Sequence, residues 1–176
     1  MSKTNYDFYL EYDETIWTKI VFDDHTNGYV VVHQHHGQGE LKVNLQIGLQ
    51  LVKLGFRVEL LAETKIGQSA DATLDGVVWE FKSTNATKSS VQNRLRLGKE
   101  QSPNILLEVP IRFILRELLR GIISAVVVDS RAKIQNVGLL FTSRDHLGLI
   151  VLTREEIKSL DFRKLLIHFD DTEDYV

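Results

Sequence analysis

The chain of 176 residues has no cysteine, two prolines, one methionine and eleven glycines. Lack of cysteine excludes a disulfide framework, a thiolate zinc site and a thiol nucleophile. So few prolines and glycines exclude a collagen-like, linker-dominated or disordered chain. Apolar runs stop at a handful of residues, far short of the ~18 a membrane span needs. The opening Met1-Ser-Lys-Thr-Asn-Tyr-Asp lacks the apolar centre of a secretory signal. The expectation is a soluble protein with no membrane partner, kept in a reducing compartment, the cytoplasm. The chain also carries no Walker loop, dinucleotide fingerprint or serine-hydrolase elbow.

With 43% apolar and 26% charged residues, the composition suits one globular domain with a sizeable core. The net charge of −3 is unevenly spread. Residues 1–40 set Lys3 and Lys19 against seven acids. Residues 82–133 set ten cations, among them Lys82, Arg94, Arg96, Lys99, Arg131 and Lys133, against Glu100, Glu108, Glu117 and Asp129. The tail is acidic again, through Asp170, Asp171, Glu173 and Asp174. A basic centre between acidic ends suits a polyanion held at one face, or is simply a solvated helix face.

Hydrophobic periodicity predicts an α/β fold: a single domain with a central mixed β-sheet flanked by helices. Strands are expected over 16–22, 29–33, 56–62, 104–109, 137–141 and 147–152. Between 40 and 54, Lys42, Gln46, Gln50 and Lys53 form one polar stripe, and Gly55 stands where a helix ends. That wheel turns Glu40 and Asn44 inward. A basic helix is expected over 85–101. A longer one is expected from Pro110 through Val127, with Arg112, Arg116 and Arg120 in a row, and a short one follows near 153–160. The organisation read from this is N-terminal strands over 1–36, a core over 37–160 and an acidic tail over 161–176.

The most informative stretch runs Ser69-Ala-Asp-Ala-Thr-Leu-Asp-Gly-Val-Val-Trp-Glu-Phe-Lys82. Asp75-Gly76 between two β-like runs predicts a two-residue hairpin turn. The register then pairs Leu74 with Val77, Thr73 with Val78, Ala72 with Trp79 and Asp71 with Glu80. Alternation puts Ala70, Ala72, Leu74, Val77, Trp79 and Phe81 on one face and Ser69, Asp71, Thr73, Val78, Glu80 and Lys82 on the other. Two carboxylates directly across a strand pair, roughly 5 Å apart at Cβ, repel each other unless something compensates. A divalent cation does so, and carboxylates with waters are the hard-oxygen shell that Mg²⁺ or Mn²⁺ takes. Lys82 would then act on a water nucleophile or on a phosphate under attack. The competing reading is a surface charge cluster in which Lys82 screens both acids.

At Asp71 and Glu80-Phe81-Lys82 the chain resembles the PD-(D/E)xK nuclease superfamily, with Glu40 matching its helical acid and Gln101 its glutamine beyond the hairpin. The proline that precedes the first aspartate in that pattern is Ala70 here. The run Gly55-Phe-Arg-Val-Glu-Leu-Leu61 with Asp75 to Lys82 is most similar to the tRNA-nuclease C-terminal domains of contact-dependent growth-inhibition toxins. The resemblance implies a restriction-endonuclease-like core and a metal-dependent phosphodiesterase. In it Asp71, Glu80 and Glu40 hold Mg²⁺ or Mn²⁺, Lys82 acts on nucleophile or phosphate, and Gln101 orients Lys82 or substrate. RNA of tRNA type is the favoured substrate. The alternatives are a DNA endonuclease of restriction or resolvase type, and a non-catalytic nucleic-acid or protein-binding module on the same fold.

Thr84, Arg94, Arg96 and Lys99 are candidate nucleic-acid contacts. His33-Gln-His35-His36 invites a phosphate contact or proton carrier at His35 or His36, or is an exposed loop. An immunity or inhibitor protein, itself acidic, is an expected partner.

Overall fold

The computed structural model describes residues 3–63, 69–129, 133–142 and 147–170. Arg131 of the basic centre and the last six residues of the acidic tail lie outside them. The described residues make an α/β fold with eight strands, mixed in direction and flanked by helices. The chain packs as two compact units, residues 1–81 and 82–176.

The first unit begins with α1 (Asn5–Glu11), seven residues, none of them buried, whose period is too short to stand out. A capping box starts it, Thr4 and Asp7 each bonding the other's backbone. Strands β1 (Trp17–Phe22) and β2 (Tyr29–His33) pair antiparallel. Helix α2 (Gln38–Lys53) then crosses to β3 (Arg57–Leu60), parallel to β2. A Schellman closure ends α2: Gly55 N–H donates to Val52 O at 2.9 Å and Phe56 N–H to Leu51 O at 3.1 Å. Gly55 takes φ of 87°, as such an end requires. Gly48 packs α2 against the sheet, where a Cβ would lie 3.4 Å from Val30 and Val58, at ordinary contact distance.

The hairpin forms as its turn dictates. Strand β4 (Ala72–Leu74) is antiparallel to β3 and to β5 (Val77–Ser83), and the ladder holds the expected pairs Leu74–Val77, Thr73–Val78 and Ala72–Trp79 but ends before the expected pair of Asp71 with Glu80. Asp75 and Gly76 have φ of 49° and 82°, both left-handed as a type I′ turn demands. Asp75 Oδ1 also accepts from the Arg57 backbone N–H, at 3.1 Å, which ties the turn to β3.

In the second unit, α3 (Lys88–Gly98) leads to β6 (Asn104–Val109). Helix α4 spans only Leu115–Ile123 and passes into a π-helical turn, Ser124–Val128. The helix expected from Pro110 therefore starts five residues later. Ile114, in extended conformation, precedes it, and Ile111 and Ile114 stay exposed. Arg112 falls before the helix, so the expected arginine row is reduced to Arg116 and Arg120. Strand β7 (Asn136–Thr142) runs parallel to β6, and β8 (Leu147–Thr153) antiparallel to β7. Helices α5 (Arg154–Lys158) and α6 (Arg163–Asp170) follow. The core joins Val91 and Leu95 of α3 to Leu118 and Ile122 of α4 and to Ile105, Leu107, Val137 and Leu139 of the strands. Among the described residues no helix is long and apolar enough to cross a membrane.

Candidate active site

On the apolar hairpin face Ala72, Leu74, Trp79 and Phe81 are all at or below 7% exposure, while Val77 beside the turn is exposed. On the other face Val78 is exposed too, but the two acids are not. Asp71 is 5% exposed and Glu80 is fully buried, so the surface charge cluster is not what forms. Burial of a charge is costly unless partners or a cation offset it.

Asp71 sits one residue before β4, where that strand and β5 part. Its Oδ2 accepts the backbone N–H of Phe81 at 2.8 Å, so the side chain takes a β5 donor just beyond the ladder that ends at Ala72 and Trp79. Its Oδ1 accepts from Asn44 Nδ2 at 2.8 Å. Asn44 is buried in α2, and behind it stands buried His36. His36 Nε2 lies 3.3 Å from Asn44 Nδ2, and its Nδ1 lies 2.6 Å from Leu61 O. A carbonyl only accepts, so Nδ1 carries the proton and Nε2 receives the second N–H of the Asn44 amide. The result is one chain: the Leu61 carbonyl, His36, Asn44, the Asp71 carboxylate and the Phe81 N–H.

Asn44 was visible in the sequence only as a polar residue on an apolar helix face, and its partner lies 27 positions away. His36, expected as a phosphate contact or proton carrier, is buried behind Asn44 as its support. His35 is exposed and donates its backbone N–H to His33 Nδ1 at 3.1 Å.

Glu40 lies in the first turn of α2 and is exposed, in contrast to the inward position expected of it. It precedes Asn44 by one helical turn and shares its side of the helix. Glu63 also comes to this helix start: its carboxylate is what a Cβ at Gly37 would meet, at 2.8 Å. Lys82 follows Glu80 by two residues on β5 and is partly exposed.

In the second unit the Thr84 N–H donates to Glu108 O at 3.2 Å and Ser83 Oγ to Glu108 Oε2 at 2.7 Å, so the end of β5 adjoins the C-terminal end of β6. Gln101 precedes the N-terminal end of β6, and its backbone N–H donates to Gly98 O at 2.9 Å. Helix α3 brings the chain back to that end of the strand, and Gln101 with it. Thr84 Oγ1 lies 3.0 Å from Ser90 Oγ and accepts the Ala86 N–H at 3.1 Å, which shapes the entry to α3. Arg94 and Arg96 are exposed on α3, and Lys99 pairs with Asp129 at 2.7 Å.

The donor set at the hairpin fits a hard cation in kind. Asp71 and Glu80 bring carboxylate oxygens, and Mg²⁺ uses one or two carboxylates with waters completing its shell. The set of three expected from the sequence is not gathered: among the described residues no group of three or more His, Asp or Glu is arranged to hold a metal.

Against this geometry stand the comparisons. Residues 68–134 match the model of the contact-dependent growth inhibition CdiA C-terminal domain family. That stretch holds Asp71, Glu80, Lys82 and Gln101, and is less than half of the chain. No curated protein matches. A chain of the solved CdiA-CT/CdiI toxin and immunity complex from Burkholderia pseudomallei is similar at 15% identity and a TM-score of 0.42, over 64% of this chain and 84% of that one.

Proposed function

We propose that the chain is a divalent-metal-dependent nuclease of growth-inhibition toxin type, with structured RNA such as tRNA as its substrate. The observation that carries the reading is the pair of carboxylates drawn out of solvent at one hairpin, Asp71 at 5% and Glu80 at 0% exposure, with Lys82 two residues on. The growth-inhibition family match over 68–134 supports it, because the hairpin lies wholly inside that stretch. In this reading Asp71 and Glu80 hold Mg²⁺ or Mn²⁺, and Glu40 reaches the ion through water. The bound cation would supply charge neutralisation at the phosphate and a more acidic water. Asn44 and the Phe81 N–H keep the Asp71 carboxylate in one orientation. Lys82 places a positive charge where the scissile phosphate gains negative charge. An acidic immunity protein is the partner proposed for the cell that makes such an enzyme.

The test is incubation with tRNA, duplex DNA and single strands in Mg²⁺ or Mn²⁺. Cleavage of tRNA that disappears with chelator, and falls by about 10³-fold or more in Asp71→Ala and Lys82→Ala, is the expected result. Wild-type cleavage by both variants would end the proposal. A second readout is thermal. Mn²⁺ should raise the melting temperature of the wild type and leave Glu80→Gln unmoved, and an equal rise in both removes Glu80 from the metal site.

A further inference from the structure

The end of the second unit that receives Gln101 is a basic groove that the hairpin chemistry does not use. A hollow of about 570 Å³ is lined by Lys99, Gln101, Lys133, Gln135 and Arg154, with Glu100 at its edge. A second, of about 540 Å³, includes Arg96 and shares Lys99 and Glu100 with the first, so the two adjoin. Four cations thus face two acids, Glu100 and the Asp129 that pairs with Lys99.

Two of the cations are held in place. Lys99 has a side-chain exposure of 14% and is steadied by Asp129. Arg154 donates from Nη1 to Ile134 O at 2.9 Å, and its backbone N–H donates to Gln135 O at 2.7 Å. Lys133 and Arg96 are exposed and can follow a ligand. Fixed and mobile cations in one open groove match a chain of phosphates, and the exposed Gln135 beside them offers a donor and an acceptor.

We propose that this groove binds the sugar–phosphate backbone of the nucleic acid that the hairpin site cleaves, an inference that rests on the nuclease reading for the identity of its ligand. The groove lies at the N-terminal end of β6, while Thr84, two residues after Lys82, bonds Glu108 O four residues along that strand.

The experiment is fluorescence anisotropy with the full chain and a labelled hairpin RNA in chelator, where no turnover occurs. Arg96→Glu/Lys133→Glu is compared with Arg112→Glu/Arg116→Glu, an equal change of charge at exposed positions outside the groove. The groove variant should weaken binding by about tenfold or more at about 0.1 M salt and flatten the salt dependence by about two phosphate contacts. The control should stay within about twofold of wild type. Equal weakening in both variants, or none in either, overturns the groove, as does tight binding of an acidic protein that the groove variant alone loses while RNA binding is kept. A DNA hairpin run in parallel separates a backbone reader from an RNA reader. Cleavage of the same RNA with Mn²⁺ is scored separately. A groove effect without cleavage refutes the nuclease reading, and cleavage without a groove effect refutes only the groove.

Discussion

Asn44 and Asp71 lie 2.8 Å apart, amide to carboxylate, and join α2 to the point where β4 and β5 separate. Both side chains are buried. Asn44→Ala leaves a buried carboxylate short of a donor and should cost about 1–3 kcal/mol in urea unfolding. Asn44→Asp sets a like charge against Asp71 and should cost more. At saturating RNA, Asn44→Ala should lower turnover by about 10–100-fold, as loss of a group supporting a metal ligand does. The Mn²⁺-induced rise in melting temperature should shrink with it. A variant that loses stability but keeps both turnover and the Mn²⁺ response would make Asn44 a packing residue only.

Two glycines report on the two units by different physics. At Gly76 a Cβ would meet open space, so Gly76→Ala is opposed only by φ of 82° and should cost about 1 kcal/mol. At Gly121 a Cβ would lie 2.6 Å from Val91 Cβ and 2.9 Å from Lys88 O, where α4 crosses α3. Gly121→Ala should therefore cost about 1–3 kcal/mol through overpacking. Denaturant midpoints in that order test both, and a Gly76→Ala protein less stable than Gly121→Ala would contradict them.

His33 ties stability to pH. Burial first, then the neighbouring His35 and His36, holds its imidazole below the usual 6.5. The folded state favours neutral His33, so the unfolded chain binds more protons once pH falls below about 6.5. Its share of stability is complete above that value and is lost as pH drops toward the depressed folded value. His33→Phe keeps a ring against Trp17, whose centroid lies 4.9 Å away, and removes the titration. The fall in melting temperature from about pH 7 to about pH 5 should be shallower in that variant, and an unchanged slope would move the effect to other groups.

Much of the fold was legible because it is decided by near neighbours. Tyr29–His33 and Asn104–Val109 are strands over the residues that periodicity marks, and Gly55 ends α2 as its position implies. Helices α1 and α6 went unread. Helix α1 has only seven residues, about two turns, and buries none of them, so its period is too short to stand out. The start of α4 was misplaced for the opposite reason: Ile111 and Ile114 fit the helical period yet remain exposed, so the pattern ran past the helix.

The hairpin register needed only the residues within it. A two-residue Asp-Gly turn leaves one pairing open to the flanking strands, and alternation then names the residues of each face. What those residues meet was decided by tertiary packing. Whether Asp71 faces water or Asn44 depends on where α2 crosses the sheet, and no local pattern marks Glu80 as fully buried. Gln101 shows the same division from the other side. Its place after α3 could be counted along the chain, but its position before the N-terminal end of β6 follows from how the crossover returns.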